Sequence, residues 1–194
     1  MSTPSLFTVG HSNHEMADFL ALLDRHGVTV VGDVRSNPYS RWTQFGRENL
    51  AGSLKDHGLR YVFLGDQLGA RRPEVECYVD GQAVYELVAK LPAFLEGVAR
   101  LGRGARDHVI ALMCAEREPL DCHRGVLIAR QLAERGWRVR HILADGSAEE
   151  HAATERRMID AMGVDPLLDA NATQAELLHR AYEELGGRLA YRPR

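Results

Sequence analysis

The chain has 194 residues, 45% of them hydrophobic and 26% charged, with a formal net charge of −3. That is enough for one ordinary domain with a real core, and it gives no bulk electrostatic reason to bind nucleic acid or a membrane surface. No apolar run reaches the length of a membrane span. The start, MSTPSLFTVGHS, lacks the pattern of a secretory signal, and three irregularly spaced cysteines argue against a disulfide framework, so a reduced, cytoplasmic protein is expected.

In chain order, LFTVG (Leu6 to Gly10) reads as a buried strand. Ser12 and Glu15 then form a capping-box pattern ahead of Met16, Phe19, Leu20 and Leu23 at helical spacing, with Gly27 as the stop. TVVGDV (Thr29 to Val34) is a second strand, and Asn37-Pro38 breaks the chain into a loop. Leu50, Ala51 and Leu54 mark a helix ended by Gly58, before a third strand from Arg60 to Gly65. The polar stretch Asp66 to Asp80 reads as a long functional loop. A helical region from Gln82 to Arg100 is bent or divided by Pro92. HVIALMC (His108 to Cys114) is a fourth strand, PLDCHRGVLIARQLAERG a helix stopped by Gly136, and Arg138 to Ala144 a fifth strand. Two more helices start at capping boxes, Ser147 to Glu150 and Thr173 to Glu176, and the last carries the stripe Leu177, Leu178, Ala181 and Leu185. The basic tail RLAYRPR is expected to fray.

Strands alternating with helices, and apolar on both sides, predict an α/β fold: an open, mostly parallel sheet of about five strands with helices on both faces. The α/β domain takes residues 1–146, and a helical C-terminal extension, 147–194, packs on the same domain. In such a sheet ligands bind outside the carboxyl ends of the strands. That edge collects His11 and Ser12, then Asp33 and Arg35, then Gly65 and Asp66, then Cys114 and Glu116 with Cys122, His123 and Arg124, and finally Asp145. The opposite edge carries helix stops such as RHG, DHG and ERG.

Several chemistries fit these residues. Arg35 and Arg124 offer planar forks for an anion, or Arg35 pairs with Glu116 inside the sheet edge. Asp33 and Glu116 could share acid and base roles, or Asp33 orients Arg35 or caps the loop. Cys122, early in a helix beside His123 and Arg124, is either a reactive thiolate or an inert member of the stripe Cys122, Val126, Ala129 and Ala133; Cys114 has the same two readings. Tyr39, Trp42 and Phe45 could stack on a base or ring, or form an apolar lid. The short Cys-to-Arg loop of cysteine phosphatases and sulfurtransferases is not matched, because Cys114 lies too far from Arg124 and the loop between them is acidic. His11, Cys114, Cys122 and His123 could bind a metal, but paired zinc-ligand spacings and a dinucleotide fingerprint are both missing, so neither metal nor cofactor is expected.

TVGHSN, VVGDVRSNPYSR, YVFLGDQLGARR, LMCAEREPLDCHR and VRHILADG, in that order, resemble the family labelled domain of unknown function 488 over Phe7 to Gly146. The resemblance implies a compact α/β domain of bacteria and archaea and a single pocket, without naming a reaction. Its motif positions fall on His11, Ser12, Asp33, Arg35, Ser40, Cys114, Glu116, Cys122, His123 and Arg124, and its paired glycines after the third strand are half kept in Leu68-Gly69-Ala70. The expectation is an enzyme of transferase or hydrolase type on a small anionic or nucleotide-like ligand, with His11 orienting and with Ser12, Ser40, Tyr39, Trp42 and His123 among the binding residues. Two rivals stand beside it. One is a nucleic-acid-binding module built on Arg35, Arg41, Arg47, Arg71 and Arg72 with Tyr39 and Trp42. The other is an adaptor that uses the C-terminal helices, with a homodimer as one arrangement.

Overall fold

A computed structural model describes residues 4–161, 163 and 172–193. The expected strands form one sheet: β1 (Ser5–Gly10), β2 (Val30–Asp33), β3 (Arg60–Phe63), β6 (Ile110–Cys114) and β7 (Arg138–Ile142). A sixth strand, β8 (Ala148–Glu150), gives the order β3-β2-β6-β1-β7-β8. Every pairing is parallel except that of β7 with β8. Two short strands, β4 (Tyr78–Val79) and β5 (Gln82–Ala83), make a separate hairpin turned by Asp80 and Gly81, both at positive φ.

Side-chain alternation along β6 divides the core. Ala111 and Met113 pack with Phe19, Leu23, Leu50 and Leu54 of α1 (Met16–Arg25) and α2 (Arg47–Asp56). Ile110, Leu112 and Cys114 face the other side. There they meet Phe94 and Leu101 of α5 (Pro92–Gly104), Leu132 of α6 (Arg130–Ala133), Met158 of α7 (His151–Ala161) and Ala181 and Leu185 of α8 (Gln174–Leu189). Helices therefore cover both faces, as the apolar strands require. Among the described residues no helix is long and apolar enough to cross a membrane.

Several local expectations change. Ser12 does not cap α1; its backbone is left-handed (φ 45°) and its hydroxyl donates to Asn13 Oδ1. Ser147 does not start a helix either. Its amide and hydroxyl both bond Asp145 Oδ1, an Asx turn that feeds β8, and α7 begins only at His151. The Thr173–Glu176 capping box is formed. Pro92 sits at the first turn of α5, where its missing amide costs nothing, and the segment before it is β5 and a short helix α4 (Tyr85–Val88). The stretch after β3 is not all loop: α3 (Gly65–Leu68) and a turn of 3-10 helix (Val75–Cys77) lie within it. The segment before α6 is π-helical from Arg124 to Ala129. The tail is held rather than frayed: the Ala83 amide donates to the Tyr191 carbonyl and Arg192 to Gln82 Oε1, while Arg194 lies outside the described residues.

A buried polar chain ties α7 and α8 to the sheet. The Tyr182 hydroxyl donates to Glu155, so it can only accept from His151 Nε2–H. His151 Nδ1 then accepts from His141 Nε2–H, and His141 Nδ1 accepts from the Thr8 hydroxyl. This one-directional chain satisfies every member only while both imidazoles are neutral. Burial holds His151 down to about 4 from 6.5 and lowers His141 in the same direction.

The unfolded chain therefore binds these protons first as the pH falls. The stability they confer is complete above about pH 6.5 and is lost as the pH drops toward 4, with His151 alone accounting for about 3 kcal/mol. Urea unfolding at a series of pH values should show this loss, with a shallower slope in His151→Asn. Equal slopes in the two proteins would contradict the assignment.

Candidate functional site at the carboxyl edge of the sheet

The strand register brings Gly10 level with Cys114, and Asp33 level with Met113, so β1, β6 and β2 end together. A pocket of about 310 Å³ opens at this edge. Arg35, Ser36 and Tyr39 line it from the loop after β2, Arg71 from the loop after α3, and Cys114, Glu116 and His123 from the segment after β6. A larger hollow, about 640 Å³, lies at the opposite edge among strand starts and helix stops such as His26 and His108, and it is more open. Chemistry rather than size selects the smaller pocket, because its floor holds a cluster of thiols and imidazole.

Behind the pocket is a closed ion pair. Arg35 donates through Nε to Asp33 Oδ1 (2.9 Å) and through Nη2 to Oδ2 (2.7 Å), and Nη1 donates to the Phe45 carbonyl and to His11 Nε2. The Tyr61 hydroxyl and the Arg35 amide complete the Asp33 carboxylate. Both charged residues are buried. Arg35 is thus paired with Asp33 and not with Glu116, and Asp33 orients Arg35. His11 donates from Nδ1 to the Ser12 carbonyl, stacks on Phe45 at 4.3 Å and accepts from Arg35, which requires a neutral ring. Burial, helped by the Arg35 charge, holds it at about 4.

Arg124 is likewise committed. It is fully buried and donates through Nη1 to the Glu116 carbonyl (2.6 Å) and through Nη2 to the Arg117 carbonyl (2.8 Å), while its Nε has no partner among the described residues. Both guanidinium groups are thus bonded within the chain, and each fixes a loop. The loop after β6 is pressed onto its neighbours, and a Cβ at Gly10 would lie 1.9 Å from the Glu116 carbonyl oxygen.

Cys114, at the end of β6, meets Cys122 and His123 at the entry to the π-helical segment. Nδ1 of His123 is 3.7 Å from Cys114 Sγ and 3.6 Å from Cys122 Sγ. Nε2 of His123 is 3.1 Å from the Val34 carbonyl, which can only accept, so Nε2 carries a proton and Nδ1 faces both sulfurs. The Arg124 amide donates to Cys122 Sγ. Burial pushes the Cys122 thiol up, but a hydrogen bond from Cys114, then His123 and Arg124, outweigh it and hold the group well below the usual thiol range. Cys114, as donor of that bond and buried, is pushed up. All three cysteines are free thiols, and the third, Cys77, donates to the Glu74 carbonyl away from the cluster.

The remaining expected residues separate into those in the pocket and those outside it. Glu116 is exposed and its carboxylate has no bonding partner among the described residues; Tyr39 is 81% exposed. Ser12 is spent on Asn13, the Ser40 hydroxyl accepts from the Trp42 amide, and the Trp42 ring carries Arg41 at 5.2 Å. Arg72 is buried against Glu74, and Arg47 covers the Phe63 ring. Sequence reasoning underrated Arg71, an exposed guanidinium over the Tyr191 ring at the pocket mouth. Its only signal is its place on the loop following a strand of the same edge.

A family model described as "Domain of unknown function DUF488" matches residues 15–131. The chain belongs to this family. The DUF488 match runs from the start of α1 into α6 and so includes Asp33, Arg35, Cys114, Glu116, Cys122, His123 and Arg124, while β1 with His11 and Ser12 lies ahead of it. No curated protein and no solved structure matches the chain.

Gly10→Ala should force β1 away from the Glu116 carbonyl and lower the unfolding free energy by about 2 kcal/mol or more. Gly52→Ala, in the open face of α2, should instead raise it by up to about 1 kcal/mol. Urea titrations check both; a neutral Gly10→Ala would mean that the loop does not sit where described.

Proposed function

We propose that this DUF488 protein is an enzyme of hydrolase or transferase type that acts on a small, nucleotide-like anion at the carboxyl edge of the sheet. The observation that carries the reading is the sharing of one pocket by a buried thiol–imidazole floor and charged groups left free at its rim. Arg71 is the available cation, since Arg35 and Arg124 are used internally. The exposed Tyr39 ring offers a face for a planar base, and the size of the pocket suits a small molecule. Glu116 is the available carboxylate, free to accept a proton during transfer or hydrolysis. The saturated Asp33–Arg35–His11 group supports this floor without reacting.

Calorimetry with a nucleoside monophosphate should find saturable binding that weakens about tenfold in Arg71→Ala, the loss of one charge-assisted contact. Tyr39→Ala should weaken the nucleotide by a similar factor but leave inorganic phosphate unchanged. Binding that ignores both substitutions would remove the pocket from the account.

A further inference from the structure

We infer that Cys114 Sγ, Cys122 Sγ and His123 Nδ1 bind one zinc ion and leave its fourth position open to the pocket. The three-ligand set stands on its own geometry; the open position rests on the pocket reading above.

Four observations carry the site. The first is metric. With Zn–S near 2.3 Å and Zn–N near 2.0–2.1 Å, tetrahedral angles place a ligating nitrogen about 3.6 Å from each sulfur. The cluster has 3.6 and 3.7 Å, and all three ligand atoms lie within 4.8 Å of one another. The second is the tautomer: the Val34 carbonyl takes the Nε2 proton and aims the Nδ1 lone pair at the point between the sulfurs, as an outer-shell partner does for a metal-bound histidine. The third is composition. Two soft sulfurs and an imidazole, with no carboxylate in the set, suit zinc and not calcium or magnesium. The fourth is access. Cys114 and His123 line the pocket, whereas Cys122 does not, so the group is buried on one side and open on the other.

Three protein ligands and one open position is the arrangement of catalytic rather than structural zinc. Water there would be acidified to a pKa of about 7, and its proton has an acceptor in the Glu116 carboxylate of the same pocket. Two thiolates would balance the charge of the ion, leaving Arg124 to stabilise the thiolates through its amide and its charge. The π-helical segment that begins at Arg124 fits this role, since such segments are frequent at functional sites.

The reduced full-length chain should be loaded with zinc, desalted and weighed by native mass spectrometry. One zinc per chain is expected for the wild type and for Cys77→Ser. Cys114→Ser, Cys122→Ser and His123→Gln should each weaken zinc by more than the ~10–100-fold that loss of an outer-shell partner costs. Because a ligand variant could fail to fold, the unmodified chain is also titrated with cobalt(II): a one-to-one spectrum with thiolate charge transfer and tetrahedral intensity is expected. Absence of a stoichiometric metal in both experiments overturns the inference. So does a chain that becomes lighter by two hydrogens in air and takes up no metal after reduction, which would make the pair a redox dithiol. If cobalt binds but its spectrum ignores added nucleotide and phosphate, the ligand set stands and the pocket reading fails. If nucleotide binds and no metal does, the zinc inference fails and the pocket reading stands.

Discussion

The hydrogen bond from His123 Nε2–H to the Val34 carbonyl determines what the carboxyl edge can do. It joins the segment after β6 to the end of β2, and it selects the tautomer that turns Nδ1 toward both sulfurs. Val34 is itself held, since its amide donates to the Met113 carbonyl, one residue before Cys114. One parallel strand pair therefore positions both the imidazole and the first thiol. Nothing in this requires a flexible loop to find its place, and sites built on strands keep their geometry better than sites built on loops.

Two buried guanidinium groups surround that arrangement and play different parts. Arg35 is neutralised by Asp33 and passes its geometry to His11 and the Phe45 carbonyl. Among the described residues Arg124 has no carboxylate partner; its guanidinium meets carbonyl oxygens and its amide the Cys122 sulfur. A buried cation without a counter-ion is unfavourable unless negative charge accompanies it, and the Arg124 charge is among the causes that lower the Cys122 thiol. The polar chain from Thr8 to Glu155 follows different logic, with neutral rings in a fixed direction, and ties the C-terminal helices to the sheet.

Much of the fold is legible in the sequence because parallel, doubly covered strands leave short apolar runs, and all five expected runs are strands of the sheet. Helix starts are less legible. Ser12 and Ser147 carry the right residues for capping boxes, but tertiary pairing claims them: the Ser12 amide bonds the Ala115 carbonyl, and Ala148 pairs with Ile142. The convergence of Asp33, Arg35, Cys114, Cys122 and His123 on one edge follows from topology and is readable. Their internal bonding is not. Whether Arg35 turns to Asp33 or Glu116 depends on loop direction, which residue type does not encode. The sulfur–imidazole cluster escaped the spacing rules for zinc because its ligands come from a strand end and a helix entry with an intervening loop, rather than from one short knuckle.

The claim that most depends on this geometry is that His123 and both thiols share one point in space. Zinc-edge X-ray absorption on the loaded, reduced chain tests it directly. The account predicts two sulfur neighbours at about 2.3 Å and light atoms at about 2.0–2.1 Å, one of them an imidazole nitrogen with its outer-ring scattering. A first shell of oxygen and nitrogen alone, or one without imidazole scattering, would contradict it.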